Sequence, residues 1–419
     1  MLIHWIWLAT RDGLNDREKM AVLEHFRDPE DAFFADAASY AAIGGLSDDG
    51  RKALEDKNLL PAEHILADCA RGRIHILTIR DGAYPARLKN ISDPPLVLYY
   101  KGTLPDLDGL PVIGVVGTRK ASMYGLTTAK RMGYQIGKCG GVVVSGMAYG
   151  IDGFAMQGAL TAGGAVVGIL GCGVDLVYPQ SNKSLFADME RHGCLISEFL
   201  PGTPPYKWNF PKRNRIISGL SDGVLVVEAP EKSGALITAR QAGEQGRDVF
   251  VVPGNIDVPS CAGSNALLRD GAIMVTSGWD VVGEYRHLYP EKVRRDETAS
   301  RMTVYPDELR QASQEAEPLP KVAQNPGRPE KKGDKLPKND KKPIDNAGSS
   351  AYSDGIVMPA GLTADEEAIV SQLLRGERLV DEVIAGEGLP AGKVLASLTL
   401  LEVKGIVRTL PGRRVTLKK

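Results

Sequence analysis

Between residues 110 and 288 the chain alternates short, continuous apolar runs with helix-length segments, and this alternation restricts the fold more than any other feature. The runs are 112–116, 142–145 (VVVS), 165–170 (AVVGIL), 194–198, 223–228 (GVLVVE) and 248–252 (DVFVV). An unbroken apolar run of this length has both faces hidden, as in a parallel sheet covered by helices on each side. Repeated β–α alternation predicts an α/β fold, a Rossmann-like, doubly wound parallel sheet over 111–288. Ligands of such sheets sit beyond the carboxyl ends of the strands. Function is therefore sought in the turns that follow each run.

The flanks read differently. Residues 1–80 carry apolar positions at helical spacing, clearest in DREKMAVLEHFRDPEDAFFA, with Trp5 and Trp7 on one face of a first helix. Residues 81–110 hold short β-rich stretches broken by proline and read as a connector that packs on the sheet domain. From 289 to 357 the chain is rich in Pro, Lys, Asp, Gly and Asn, has almost nothing to bury, and is expected to be a disordered linker. Periodicity returns at 358–419, where Thr363 and Glu366 form a capping-box pattern. Two more helices (RLVDEVIAGEG and PAGKVLASLTLLEVKG) and a hairpin turning at Pro411-Gly412 complete a winged-helix pattern. The last helix is expected to bury Val394, Leu395, Leu398 and Leu401, leaving Lys393, while the wing carries Arg408, Arg413, Arg414 and Lys418. That distribution suits protein docking or weak DNA binding better than base reading.

Net charge is −1, so an anion site must be local and not a property of the whole surface. Five scattered cysteines contain no C-x-x-C pair, which argues against a disulfide framework or a zinc site and fits a reducing cytoplasm. The apolar patch at the start has no basic leader and is too short to span a bilayer, so no membrane association is expected.

The turns collect glycine, hydroxyl groups and positive charge. They hold Gly117, Thr118 and Arg119; Ser145, Gly146 and Gly150; Gly171, Gly173 and Lys183; and, before the fifth run, Lys212, Arg213, Asn214 and Arg215. Lys232, Ser233, Gly234 and Thr238 follow, then Gly254 and Asn255. Glycine lets an anion approach backbone N–H groups, helix N-termini leave such groups unpaired, and arginine adds a fork matched to phosphate. No G-x-G-x-x-G, Walker A lysine or ribose-binding acid accompanies them, so no nucleotide cofactor is expected. Asp152 is read as supporting its helix, and Glu198 and Glu228 as orienting arginines, so no catalytic residue is assigned.

GVVGTRKAS, VVVSGMAYGID, GILGCGVDLVYPQSNKSL, the long block FPKRNRIISGLSDGVLVVEAPEKSGALITA and GSNALLRDGA together resemble the DNA-processing protein A family, in order, through the sheet domain. The resemblance implies an N-terminal SAM-like helical domain and a C-terminal winged helix around a Rossmann-like domain. That domain would bind single-stranded DNA, form a homodimer and load RecA recombinase during natural transformation. It further implies DNA contacts at Arg119, Lys183, Lys207, Arg213 and Arg215, with Lys232 and its small neighbours completing the groove. Tyr149, Tyr178, Trp208 and Phe210 are the aromatic candidates for base stacking, with Phe210 assigned to packing. The alternative is a phosphoribohydrolase of the LOG type. That signature places a glutamate close after the fifth run, where this chain has Ile237 and Thr238.

Overall fold

The computed structural model describes residues 1–297, 362–373, 376, 378–379, 382–383, 391–404, 406–410 and 414–417. They belong to two compact units, one within Met1–Arg328 and one within Pro329–Lys419.

The first unit opens with helices α1 (Leu2–Ala9), α2 (Asp16–Phe26), α3 (Pro29–Phe34), α4 (Ala37–Ala41), α5 (Asp48–Glu55) and α6 (Leu60–Gly72). Asn15, Asp28, Asp36 and Ser47 cap the second to fifth through their side-chain oxygens, which fixes each start locally. In α1, Ile6 and Leu8 are as buried as Trp5 and Trp7. The middle of the helix, His4 to Leu8, is thus buried all round, and the two tryptophans, about 200° apart around its axis, do not share one face.

The helical part ends at Gly72, and β1 (His75–Thr78), α7 (Ala86–Lys89) and β2 (Val97–Gly102) follow. This stretch is not a connector laid against the sheet. β1 pairs antiparallel with β2, and β2 pairs antiparallel with β6 (Cys194–Ser197), Tyr99 opposite Ser197. The β-rich stretches expected here are thus strands of the sheet itself.

Between β2 and the unit's end lie β3 (Val112–Val116), α8 (Met123–Lys138), β4 (Val142–Ser145), α9 (Ile151–Thr161), β5 (Val166–Ile169), α10 (Lys183–His192), β6, α11 (Asn209–Leu220) and β7 (Gly223–Val226). Then come α12 (Gly234–Glu244), β8 (Asp248–Val251), α13 (Ala262–Arg269), β9 (Ile273–Met274) and α14 (Gly278–Val282). The nine strands run in the order β1-β2-β6-β5-β4-β3-β7-β8-β9, parallel from β6 to β9. Every residue of β3 to β7 is buried, so the apolar runs are interior strands as expected. Side chains such as Ile113, Val143, Val167, Leu195 and Leu225 are fully enclosed, each worth about 1.5–3 kcal/mol over exposure.

The chain steps outward from β3 to β6, then returns through α11 to place β7 on the other side of β3. The strand order therefore reverses between β3 and β7, which opens a crevice beyond their carboxyl ends. Past α14 the chain does not leave the body at 289. Val293 is buried and the Arg294 N–H donates to the Cys139 carbonyl at 3.2 Å. The remainder of the expected linker, 298–357, lies outside the described residues.

In the second unit, α15 (Ala364–Leu373), β10 (Arg378–Leu379), α16 (Ala391–Val403), β11 (Val407–Leu410) and β12 (Arg414–Leu417) enclose their own core of Ile369, Leu373, Val394, Leu398, Leu401 and Val415. Thr363 and Glu366 cap α15 reciprocally, at 2.8 and 3.4 Å. Lys393, Arg408 and Arg414 are exposed. Most of the expected middle helix, the Pro411-Gly412 turn, Arg413, Lys418 and the Leu395 side chain lie outside the described residues.

Candidate nucleic-acid interface

The first turn explains why the usual glycine fingerprint is missing. α8 starts after Ser122, whose Oγ accepts the Gly125 N–H at 3.1 Å. The Ser122 N–H and O–H both donate to the Glu228 carboxylate, at 3.1 and 3.2 Å and at 2.6 Å. Glu228 is fully buried just past the end of β7. Gly125 leaves room for it, since a Cβ there would collide with Glu228 Oε2. In dinucleotide-binding folds a pyrophosphate occupies this helix start. Here the protein's own carboxylate does, and Glu228 closes α8 instead of orienting an arginine.

The open space at the switch point lies to the side of that plug. It is a cleft of ≈ 410 Å³ between the 117–119 turn, one face of α11 and the start of α12. α11 presents Phe210, Arg213, Asn214 and Ile217 to it, the spacing that places side chains on one helix face. Lys207, just before α11, and Lys232, Ser233, Gly234 and Thr238, around the start of α12, complete the lining. Ser233 caps α12 by accepting the Ala235 N–H at 3.3 Å. Phe210 forms a platform. The Arg119 guanidinium lies 5.1 Å and that of Arg213 6.0 Å from its ring centre, both within cation–π range. A narrower pocket shares Arg119, Ala148 and Phe210 and adds Gly146, Tyr149, Gly171 and Tyr178. Gly171 is required there because a Cβ would stand 2.8 Å from the Phe210 ring.

Beneath this surface lies a buried ionic support. Arg213 donates to the Gly146 carbonyl at 2.8 Å and also to the Ile169 carbonyl, while Asp152 accepts the Gly146 N–H at 3.1 Å. Burial pushes the Asp152 carboxyl up, against the pull of the Arg213 and Arg119 guanidiniums. Burial likewise pulls Arg213 down to about 10, with Asp152 opposing, so it stays cationic at neutral pH. Asp152 thus holds the turn before α9 and its arginine, where the sequence suggests support of the helix. Arg119 is half-buried, and Lys207 and Lys232 are exposed.

Residues 75–286 match the model of the DNA recombination-mediator protein A family, and residues 358–413 match the DprA winged helix domain. The chain belongs to that family. DNA processing protein DprA of Bacillus subtilis is 44% identical over 220 residues, covering 52% of this chain and 74% of that protein. Protein Smf of Synechocystis is 37% identical over 281 residues, covering 65% and 70%. The X-ray structure of DNA processing protein A from Streptococcus pneumoniae superposes with a TM-score of 0.60 at 35% identity, covering 68% of this chain and 98% of that one.

Against this DNA-processing background, the candidate residues divide. Gly117, Thr118, Arg119, Lys207, Arg213, Asn214, Lys232, Ser233, Gly234 and Thr238 meet in the cleft, and Gly146 and Gly171 line the adjoining pocket. Arg215 does not join them. Two positions from Arg213 on a helix, it faces the opposite way, where it is held by Glu198 at 2.6 Å and Asp93 at 2.8 Å. Glu198 therefore does orient an arginine, though one outside the cleft. Ser145 is buried and donates to the Val115 carbonyl at 2.5 Å, tying β4 to β3. Gly150 precedes α9, and the Gly173 N–H donates to the Thr203 carbonyl at 2.9 Å; neither lines a cleft. Gly254 is bonded in both directions to the Asn265 side chain, and Asn255 accepts the Asp257 N–H, so both shape the loop after β8. Lys183 is exposed at the head of α10, outside both clefts; its neighbour Asn182 donates to the Met147 and Ala148 carbonyls at 3.0 and 3.2 Å. Phe210 packs against Tyr178, ring centres 5.6 Å apart, and against the two guanidiniums, as the packing assignment expects, and it also lines both pockets. The signal for that lining role is its place three residues before Arg213 on the same helix face.

Proposed function

We propose that the cleft binds single-stranded DNA without sequence preference and that the protein acts in the cytoplasm as a recombination mediator, loading a RecA-type recombinase onto the bound strand. The observation that carries this reading is the gathering of Arg119, Lys207 and Lys232 around one open cleft at the switch point, with the Phe210 ring within cation–π range of Arg119 and of the buried Arg213. Cations along a groove neutralise successive phosphates, and an aromatic platform stacks bases that a duplex keeps hidden. Lys183, exposed at the head of α10, offers a further contact outside the two pockets. The family's description as a recombination mediator supports the loading role. A homodimer fits the β9 edge of the sheet, where Ile273 and Met274 stand 42% and 62% exposed. The test is a gel-shift titration of single- and double-stranded oligonucleotides with and without recombinase. Equal affinity for both forms, or no gain in recombinase filament formation, refutes the proposal.

The phosphoribohydrolase alternative finds less support. Ile237 and Thr238 do line the cleft, but the carboxylate among its described lining residues is Asp152, buried beneath Arg213. A general base must reach its proton, and Glu228 is committed to Ser122. Incubation with nucleoside monophosphates is expected to release no free base.

A further inference from the structure

Immediately outside the cleft, the turn that leads into α11 carries an aromatic pair the cleft does not use. The Tyr206 and Trp208 rings lie 4.7 Å apart and 8° from parallel. Trp208 is 47% exposed, whereas Trp5 and Trp7 are buried and Trp279 is half-buried. A large aromatic surface left this open in a water-soluble turn asks for an occupant. Lys207, between the two rings in sequence, lines the cleft. The turn is fixed from below: Tyr206 N–H donates to the Pro204 carbonyl at 2.8 Å and Asn209 N–H to the Tyr206 carbonyl at 3.0 Å. The buried Asn209 side chain donates to the Gly171 carbonyl at 3.0 Å. The rings are thus pre-positioned, and a ligand that stacks on them spends little on ordering them.

We infer that the Tyr206–Trp208 stack is an outer base-binding subsite, which takes one nucleobase of a single strand whose phosphate is held at Lys207. The ligand class follows from the chemistry: a flat, open π-face beside an ammonium that faces an anion groove matches an aromatic base linked to a phosphate. The inference rests on the single-strand reading of the cleft and adds a contact outside it. A base paired in a duplex has its faces covered by its neighbours, so the subsite favours unpaired DNA whatever the sequence.

The experiment uses the full chain, an oligo(dT) strand and a strand of equal length built of abasic residues. Binding of oligo(dT) is expected to quench tryptophan fluorescence in the parent protein, and Trp208→Phe is expected to abolish the quench while keeping most of the affinity. Trp208→Ala is expected to weaken oligo(dT) binding by about 5- to 150-fold. The same variant should leave affinity for the abasic strand and the salt dependence unchanged. Equal losses on both strands would make Trp208 a support of the cleft and overturn the subsite. Tight oligo(dT) binding with no quench would overturn it too and leave the cleft reading standing. Failure of the parent protein to bind either strand would sink both.

Discussion

Replacing Lys232 with alanine tests the cleft through its charge count. Arg119, Lys207, Lys232 and Lys183 are the candidate cations accessible to a strand, because Arg213 is 3% exposed and bound to backbone carbonyls, and Arg215 is paired elsewhere. If each neutralises one phosphate, log affinity for a single strand falls against log salt with a slope of about −0.7 × 4, roughly −2.8. Raising monovalent salt from about 50 to about 200 mM then weakens binding by about 50-fold. Lys232→Ala leaves three contacts, a slope of roughly −2.1 and a loss of about 18-fold over the same range. Fluorescence anisotropy with a labelled strand at several salt concentrations measures both slopes directly. A second substitution, Lys207→Ala in the same chain, should bring the slope to roughly −1.4. An unchanged slope in the Lys232 variant would mean the strand does not pass the start of α12, and the placement of the site would be wrong.

Two further substitutions probe groups that sit away from the strand. Arg215→Met removes a guanidinium that is 3% exposed and leaves the Glu198 carboxylate with the more distant Lys212 ammonium at 3.9 Å; unfolding in urea should show a loss of about 3–5 kcal/mol, with the salt slope of DNA binding unaltered. Lys57, whose ammonium lies 4.8–5.4 Å from the ring centres of Trp7, Phe33 and Tyr40, is pulled by burial from 10.5 down to about 8. Between those values the unfolded chain holds the proton and the folded chain has released it, so this group makes stability rise with pH. Denaturation at pH near 7.5 and near 9.5 should show that rise in the parent and not in Lys57→Met, and equal pH dependence in the two proteins would refute it.

The sequence disclosed the sheet because interior parallel strands carry no polar positions to confuse the pattern. Each of the six apolar runs contains one of the strands β3 to β8. β1 and β2 read only as β-rich stretches of a connector because prolines lie between them, and the pairing of β2 with β6 is a long-range fact that local pattern does not contain. The site shows the same division. Glycines and cations after strands were visible, and the switch point gathered those from β3, α11 and α12. What separates Arg213 from Arg215 is helix phase, which places neighbours in sequence on opposite faces. Phase became legible once α11 was known to begin at Asn209. Ser145 and Gly254 resemble site residues in type, yet their partners are the Val115 carbonyl and the Asn265 side chain, and nothing near them in sequence announces that.

The plug at α8 connects these observations. A doubly wound sheet offers the N-terminus of the helix after its first strand as an anion site, and a mononucleotide placed there would compete with a polynucleotide for the same crevice. Glu228 supplies that anion from within, so the remaining positive field belongs to side chains and the α12 start, which are spaced along a groove instead of focused on one phosphate. Glu228→Gln tests this division of labour. It keeps the size of the side chain but removes the charge that the Ser122 N–H and O–H share, and urea unfolding should register a loss of about 1–3 kcal/mol. The DNA salt slope should stay as in the parent, because the carboxylate is buried behind the cleft and does not line it. A variant as stable as the parent would show that the helix start is satisfied without the charge, and the role given to Glu228 as the anion of the α8 start would fail.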